Sequence, residues 1–424
     1  MPPTQLEVGV GALRDRVMGA IATIGDPRLG ILPEVAQAAP SYAAYQAFDR
    51  GVAAFQAQRY DEALTEFRAA HARDTTFTIA LVRGARAAFN ARAWATADSM
   101  IARARQQDTR LGLYHDAALS YLEASLVGDG TRARAVITRA ADLAPNSRAT
   151  FDLAQSLLDA GYARQATARL AQIDPECGEL RGWSSFWTLK AHAAYLLGDM
   201  DASRAAALEM ARRYPDRRVA QVLEARALAA AGDTRTLDAR IAAWRVLPAD
   251  TYWSLGAVYV VAAEELLRRG RTERGTEYAN AAVAWLANRL VVAPEHEGHR
   301  YWLGSVLYDL GRYADARAYF DALAVEFPDR TEYRGLAALL AARRGDMRTA
   351  HAWLADTPPR ARGERLAFEA RIAAARGERE RAIALLTQAA DAGVRAYAWL
   401  PGAAFRDLAQ LGDDARVDTL LGAR

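Results

Sequence analysis

The chain contains one cysteine, Cys177. It can form no internal disulfide and no multi-cysteine zinc or iron–sulfur site. Lysine is as scarce: Lys190, in Leu189-Lys190-Ala191, is the only one, so nearly all of the 54 basic residues are arginine. There is therefore neither a P-loop nor a V-A-I-K strand, which excludes the kinase and NTPase chemistries that place a lysine on phosphates. No run of about 20 apolar residues occurs, and no short apolar stretch follows a basic amino terminus. The expectation is a cytoplasmic protein that neither spans a membrane nor is exported by a cleaved signal. Proline is sparse, 14 in 424 residues, and β-branched runs are short. No segment reads as a strand.

What is present is helix-forming: Ala, Leu, Arg and Glu dominate. The chain is 52% hydrophobic and 25% charged, with 51 acidic against 54 basic residues. That is a globular balance rather than a disordered or basic-tailed one. Apolar residues recur at intervals of three and four, as in Ala80-Leu81, Ala85 and Ala88-Phe89.

Self-similarity decides the architecture. Tyr60, Ala63, Phe67 and Ala70 return as Trp94, Ala97, Ile101 and Ala104, 34 residues on. A clearer copy runs Trp302-Leu303-Gly304, Leu307-Tyr308, Gly311-Arg312-Tyr313, Ala316, Phe320, Pro328. Its next unit keeps the phase at Gly345, Met347, Ala350 and Leu354.

These residues resemble the tetratricopeptide repeat, a helix–turn–helix of 34 residues. The family's small residue on the first helix matches Gly51, Ala85, Gly304 and Ala338. The one on the second helix matches Ala63, Ala97, Ala133, Ala166, Ala316, Ala350 and Ala382. The closing proline matches Pro145, Pro175, Pro215 and Pro328, whereas the first two units carry Thr75 and Asp108-Thr109 near that site. The physics accounts for the same residues. Facing helices approach closely only where bulk is absent, a large residue such as Phe67 or Phe320 fills the groove beyond, and a turn glycine adopts a left-handed conformation. Those glycines are Gly161, Gly198, Gly232, Gly270, Gly311, Gly345 and Gly377. The expected fold is all-α, a solenoid of about ten antiparallel helix pairs, which the resemblance makes a right-handed superhelix.

The expected organisation is a helical lead-in, cap and linker over 1–40, a first block over 41–234, and a second over 235–424. The second block is degenerate at 235–295 and ends in a carboxyl-terminal cap. Leu13 to Thr23 reads as one amphipathic helix, followed by Gly25-Asp26-Pro27 and a Pro33 to Pro40 linker.

No motif asks for catalysis, a metal or a cofactor, and none is expected. His296-Glu297-Gly298-His299 has its histidines three apart around a glycine, where a metalloprotease helix needs four. They read as solvated loop residues. Cys177 sits beside Asp174-Pro175-Glu176, which disfavours its thiolate. Arginine pairs at Arg212-Arg213, Arg217-Arg218 and Arg268-Arg269 have acidic neighbours, so nucleic acid is not the expected partner.

The resemblance implies that the first helix of each pair lines an inner groove. Its phase places Phe48, Val52 and Phe55 there, then Ile79, Val82, Arg86, Phe89 and Asn90, then Tyr301, Ser305, Tyr308 and Asp309. These rings either face a ligand or pack between helices. Trp183, Trp187, Tyr252 and Trp253 either extend the lining or fill the middle of the array. An exposed lining suits a protein or peptide partner; self-association stays open. The family's chaperone-tail clamp uses lysines, which are missing in that region.

A weaker resemblance is to the regulatory repeat region of some bacterial serine/threonine kinases, adenylate cyclases and transcription regulators. It rests on Leu13-Arg14-Asp15-Arg16-Val17, Asp26-Pro27-Arg28, Pro40-Ser41-Tyr42, Leu180-Arg181-Gly182-Trp183 and Phe405-Arg406-Asp407-Leu408. Three functions follow as expectations: a non-catalytic scaffold, a regulatory module acting in trans, or an enzyme with a site between repeats.

Overall fold

The computed structural model describes residues 3–26, 39–107, 111–246, 252–394, 407–408 and 411, with side chains from residue 9. Pro27, Arg28, Pro33, Asp108-Thr109, Phe405 and Arg406 lie outside the described residues. Among the described residues there is no strand. The architecture is all-α, a tetratricopeptide-type array of antiparallel helix pairs.

Among the described residues, the helices after α1 (Pro3–Gly25) come in ten hairpins. The first four are α2 (Tyr42–Gln56) with α3 (Tyr60–Arg73), α4 (Thr78–Asn90) with α5 (Trp94–Arg105), α6 (Leu113–Leu126) with α7 (Gly130–Leu143), and α8 (Arg148–Asp159) with α9 (Ala163–Leu170). Then follow α10 (Ser185–Leu196) with α11 (Met200–Arg213), α12 (Val219–Ala231) with α13 (Thr234–Trp244), and α14 (Leu255–Arg268) with α15 (Thr272–Val292). The last three are α16 (Glu297–Asp309) with α17 (Tyr313–Glu326), α18 (Thr331–Arg343) with α19 (Met347–Ala355), and α20 (Arg362–Ala375) with α21 (Arg379–Asp391).

Every hairpin turns the same way. Gln58, Arg92, Gly128, Gly161, Gly198, Gly232, Gly270, Gly311, Gly345 and Gly377 all have φ between 61° and 82°. The N–H of the following residue reaches the carbonyl five positions back, from Arg59 to Ala54 through Glu378 to Ala373. This satisfies an orphan carbonyl of the first helix in the Schellman manner. Where that residue is aspartate, it also starts the second helix. Asp129, Asp199, Asp233 and Asp346 each accept the N–H three residues on, at 2.9–3.1 Å. The first two turns hold the same left-handed geometry with a glutamine and an arginine.

The crossings are close because side chains are missing there. A Cβ on Gly51 would lie 2.8 Å from the Phe67 ring, and one on Gly304 would lie 2.9 Å from Phe320. Phe67 and Phe320 are fully buried, as are Ala63, Ala97, Ala316, Ala350 and Ala382. Phe67 also reaches the next hairpin, since its Cβ is 3.4 Å from where a Gly84 Cβ would stand.

The chain divides into two compact units, Met1–Ser156 with Ala168–Phe186, and Leu157–Thr167 with Trp187–Arg424. In the first, α3 packs on α4 and α5 on α6, each second helix meeting the first helix of the next hairpin. In the second, α12 also packs on α14, α14 on α16, and α18 on α20. One buried cluster there runs without interruption from Val222 to Ile372. The described helices of the irregular stretch 235–295 contribute to this core from Leu237 to Leu286, and the 21-residue α15 lengthens the spacing there.

Helix α1 packs on α2 through Gly19, whose Cβ would fall 2.0 Å from the Pro40 carbonyl, and through Arg16, which bonds the Ala39 carbonyl at 3.1 Å and Asp74 at 2.7 Å. A terminal cap would carry a polar outer face. Here the outer stripe is apolar: Val10, Leu13, Val17, Ile21 and Ile24 are 49–67% exposed.

Two substitutions check this geometry. Phe320→Ala should cost about 3–5 kcal/mol by leaving the crossing empty, seen as a lower urea midpoint for the second unit. Arg92→Gly should raise stability by up to about 1 kcal/mol, because glycine adopts the left-handed turn without strain. An unchanged or lower midpoint would mean the turn is not strained.

Candidate functional site

The first helices of hairpins two, three and four bring Arg83, Tyr114 and Arg148 to one side of the first unit. A stretch of non-hairpin chain lies against that side. Following α9, the chain turns at Asp174–Cys177, makes a single 3-10 turn at Gly178–Leu180, and then reaches Trp183. The turn is tied down by Asn146, which accepts the Asp174 N–H at 2.9 Å and donates to the Cys177 sulfur at 3.1 Å. Burial first, and then the Asp174 carboxylate, push the Cys177 thiol up, in line with an inert thiol.

Glu179 enters the middle of this surface. Its carboxylate pairs with Arg83, accepts the Tyr114 hydroxyl at 2.5 Å and accepts the Arg148 backbone N–H at 2.7 Å. Burial alone would push this carboxyl up. Arg83, the Tyr114 hydroxyl and the Arg148 amide outweigh burial and hold it below the ordinary glutamate range. Burial and then the Glu179 charge push the Tyr114 hydroxyl well above its usual range, so it remains a donor.

Beside this pair lies a second one. Asp152 takes Arg86 on one oxygen and the Arg148 Nε on the other at 2.9 Å. Arg148 then stacks over Trp183, 3.7 Å from the ring centroid, with Phe55 and Phe151 rings at 5.3 and 5.4 Å. Trp183 packs on Phe151 at 4.5 Å between centroids and is buried, and its Nε1 has no hydrogen-bond acceptor. Gln56 donates to the Arg181 carbonyl at 2.6 Å, and Gln58 to the Ser185 hydroxyl at 3.0 Å.

The second unit repeats the arrangement. Asp407, fully buried, accepts the Tyr308 hydroxyl, pairs with Arg343, and takes the Arg371 Nε at 2.9 Å. Leu408 and Leu411 pack beside it against Ala370, Ala373, Ala374, Ile383 and Leu386. Burial and Asp407 push the Tyr308 hydroxyl up, as Glu179 does Tyr114.

Each expected groove residue can now be placed. Phe48 is core, with rings of Phe67 and Phe77 at 5.4 and 5.0 Å. Ile79, Val82, Tyr301, Ser305, Tyr308 and Asp309 are buried as well. The Tyr301 hydroxyl is spent on Glu332 at 2.6 Å. Val52, Phe55, Arg86, Phe89 and Asn90 are half-buried. Tyr252 and Trp253 cluster with Tyr301 and Trp302, and the Tyr252 carbonyl accepts the Trp302 indole N–H at 2.8 Å, so this aromatic group is interior packing.

Sequence reasoning missed Arg83, Tyr114, Arg148, Asp152 and Glu179. A signal was present in the two glycines, Gly178 and Gly182, both left-handed, where the repeat spacing stretches between the fourth and fifth hairpins.

The histidine pair differs from its expected form. Pro294 and Gly298 let α16 begin early, so His296 becomes its N-cap, accepting the His299 N–H at 3.1 Å. His299 is buried edge-on to Trp285, not solvated. Among the described residues, no group of three or more His, Cys, Asp and Glu is placed to hold a metal ion. Two of the three arginine pairs have acidic partners here: Arg212 and Arg213 bind Glu209, and Arg268 and Arg269 bind Glu265.

No family model matches the chain, and no curated protein does. Solved structures that superpose include yeast Tom70, at 15% identity and a TM-score of 0.31 over 89% of this chain and 80% of that one. Naa15/Naa10 bound to HypK-THB gives 12% and 0.27 over 95% and 67%, and the APC/C hetero-tetramer Cut9-Hcn1 gives 13% and 0.29 over 93% and 98%. The paired helices themselves define the fold.

Burial, then the His296 and Arg289 charges, lower His299 to about 4 from its ordinary 6.5. Within that window the unfolded chain binds a proton that the folded chain does not, so stability is lost as pH falls from about 6.5 to about 4. His299→Phe should shrink the drop in melting temperature between pH 7 and pH 5. An equal drop in both proteins would assign the proton to another group.

Proposed function

We propose that this chain is a binding scaffold, holding a protein or peptide on the inner face of its helix pairs and performing no chemistry of its own. The observation that carries this reading is the non-hairpin stretch already held there, anchored by a carboxylate and an indole rather than by interdigitated helix faces. An array that seats one such segment has the shape and donors to seat another. Val52, Phe55, Arg86, Phe89 and Asn90 form the half-buried margin where a partner would begin contact.

The buried charge cluster does not favour an enzyme. Its two carboxylates, Asp152 and Glu179, are both committed to arginines. A catalytic cluster would leave a base and a reacting position unspent.

A narrower reading, a regulatory module acting in trans on a separate kinase or transcription regulator, has one supporting observation. Leu180–Trp183 and Asp407-Leu408, which carried that resemblance, belong to the two segments that insert beside the first helices.

The test is selection of peptides from a displayed random library on the full chain. Enriched peptides should bind Val52→Asp or Asn90→Ala chains at least about tenfold more weakly, while melting shifts by no more than roughly 2 °C. No enrichment, or equal binding to both variants, would overturn the scaffold reading.

A further inference from the structure

The reading above leaves the partner's chemistry open, and the first unit supplies it. We propose that Gly178–Trp183 is a built-in occupant of the first unit's inner face, and that this face takes a peptide whose carboxylate side chain precedes an aromatic ring by four residues. This rests on the scaffold reading and deepens it.

The receptor side is specific. Arg83, the Tyr114 hydroxyl and the Arg148 amide converge on one carboxylate, contributed by three successive hairpins. Charge-assisted bonds of this kind select an acid over an amide. The Arg148 guanidinium is itself fixed by Asp152, so it presents a flat cation to the indole four residues on. Spacing is therefore built in: the same arginine bonds the acid through its backbone and the ring through its side chain.

The occupant is held like a ligand rather than like a repeat. It forms no hairpin, and left-handed glycines at Gly178 and Gly182 set its path. Its hold on the helices is by anchors: the buried Glu179, Leu180 and Trp183 and one bond from Gln56 to the Arg181 carbonyl. The fit is also incomplete, since the Trp183 Nε1 is buried without an acceptor, and a partner ending in phenylalanine avoids that cost. Asp407 with Leu408 places a second acid and apolar anchor in a tyrosine–arginine cradle of the second unit, so the preference for a carboxylate recurs in the array.

A tethered occupant competes at a high effective concentration, and the apparent affinity of an outside peptide falls by the fraction of chains with the face open. Opening the face should therefore reveal binding that the wild type masks.

A fluorescent peptide spanning Asp174–Phe186 is titrated into the full chain and read by anisotropy. The Trp183→Ala chain, checked for helicity by circular dichroism, should bind at least tenfold more tightly than wild type. A Glu179→Gln version of the peptide should bind at least tenfold more weakly. Should Trp183→Ala not fold, the wild-type chain is read by hydrogen exchange with excess unlabelled peptide, and amides in 178–184 should exchange at least tenfold faster. A folded Trp183→Ala chain that binds no better, indifference to Glu179→Gln, or unchanged exchange overturns the proposal. If library-selected peptides still depend on Val52 and Asn90 in that event, the scaffold reading survives and only the occupant falls.

Discussion

Two helices of a hairpin can close on each other only where one gives up its bulk. In this chain that constraint is met by Gly51 against Phe67 and by Gly304 against Phe320, with alanines repeating the bargain from the second helix. The large ring then has nowhere to go but between hairpins, where it meets the next pair. Stacking in sequence order follows from this, and so does the dependence of each pair on its neighbour for a covered face. The left-handed turn fixes the second half of the geometry. Its reach-back bond ends the first helix and delivers an aspartate, where one is present, to begin the second.

That part of the structure was legible because it is periodic. Seven of the turn glycines and every small crossing residue are set by local sterics, which a sequence displays directly. The first two turns were legible only through side-chain phase, since Gln58 and Arg92 stand where later units have glycine. The exposure of the first-helix positions was not legible in the same way. The phase put Tyr308, Val82 and Phe48 on the first helices, and they are there. Whether a first-helix position meets solvent depends on what else the chain lays across it, and the bond from Arg83 to Glu179 spans 96 residues of sequence. Periodicity carries no information about such a contact.

Electrostatics explains why those two insertions are seated so deeply. An unpaired carboxylate in the interior would neutralise itself. Glu179 and Asp407 instead each collect a tyrosine hydroxyl and at least one arginine, and Glu179 stays ionised despite its burial. The near-total replacement of lysine by arginine suits this use, because a guanidinium can bond an acid along one edge and stack a ring on its face at once. Arg148 does both, joining Asp152 to Trp183.

The solitary thiol of the chain sits at the entry to the first of these insertions, bonded by Asn146 and itself bonded to Asp174. Its position makes the molecule self-indexing. A maleimide dye has one address only, a half-covered one at which the unreactive thiol form is favoured. The pace of labelling at that address reads how firmly the loop is docked, with no engineered residue needed to report it.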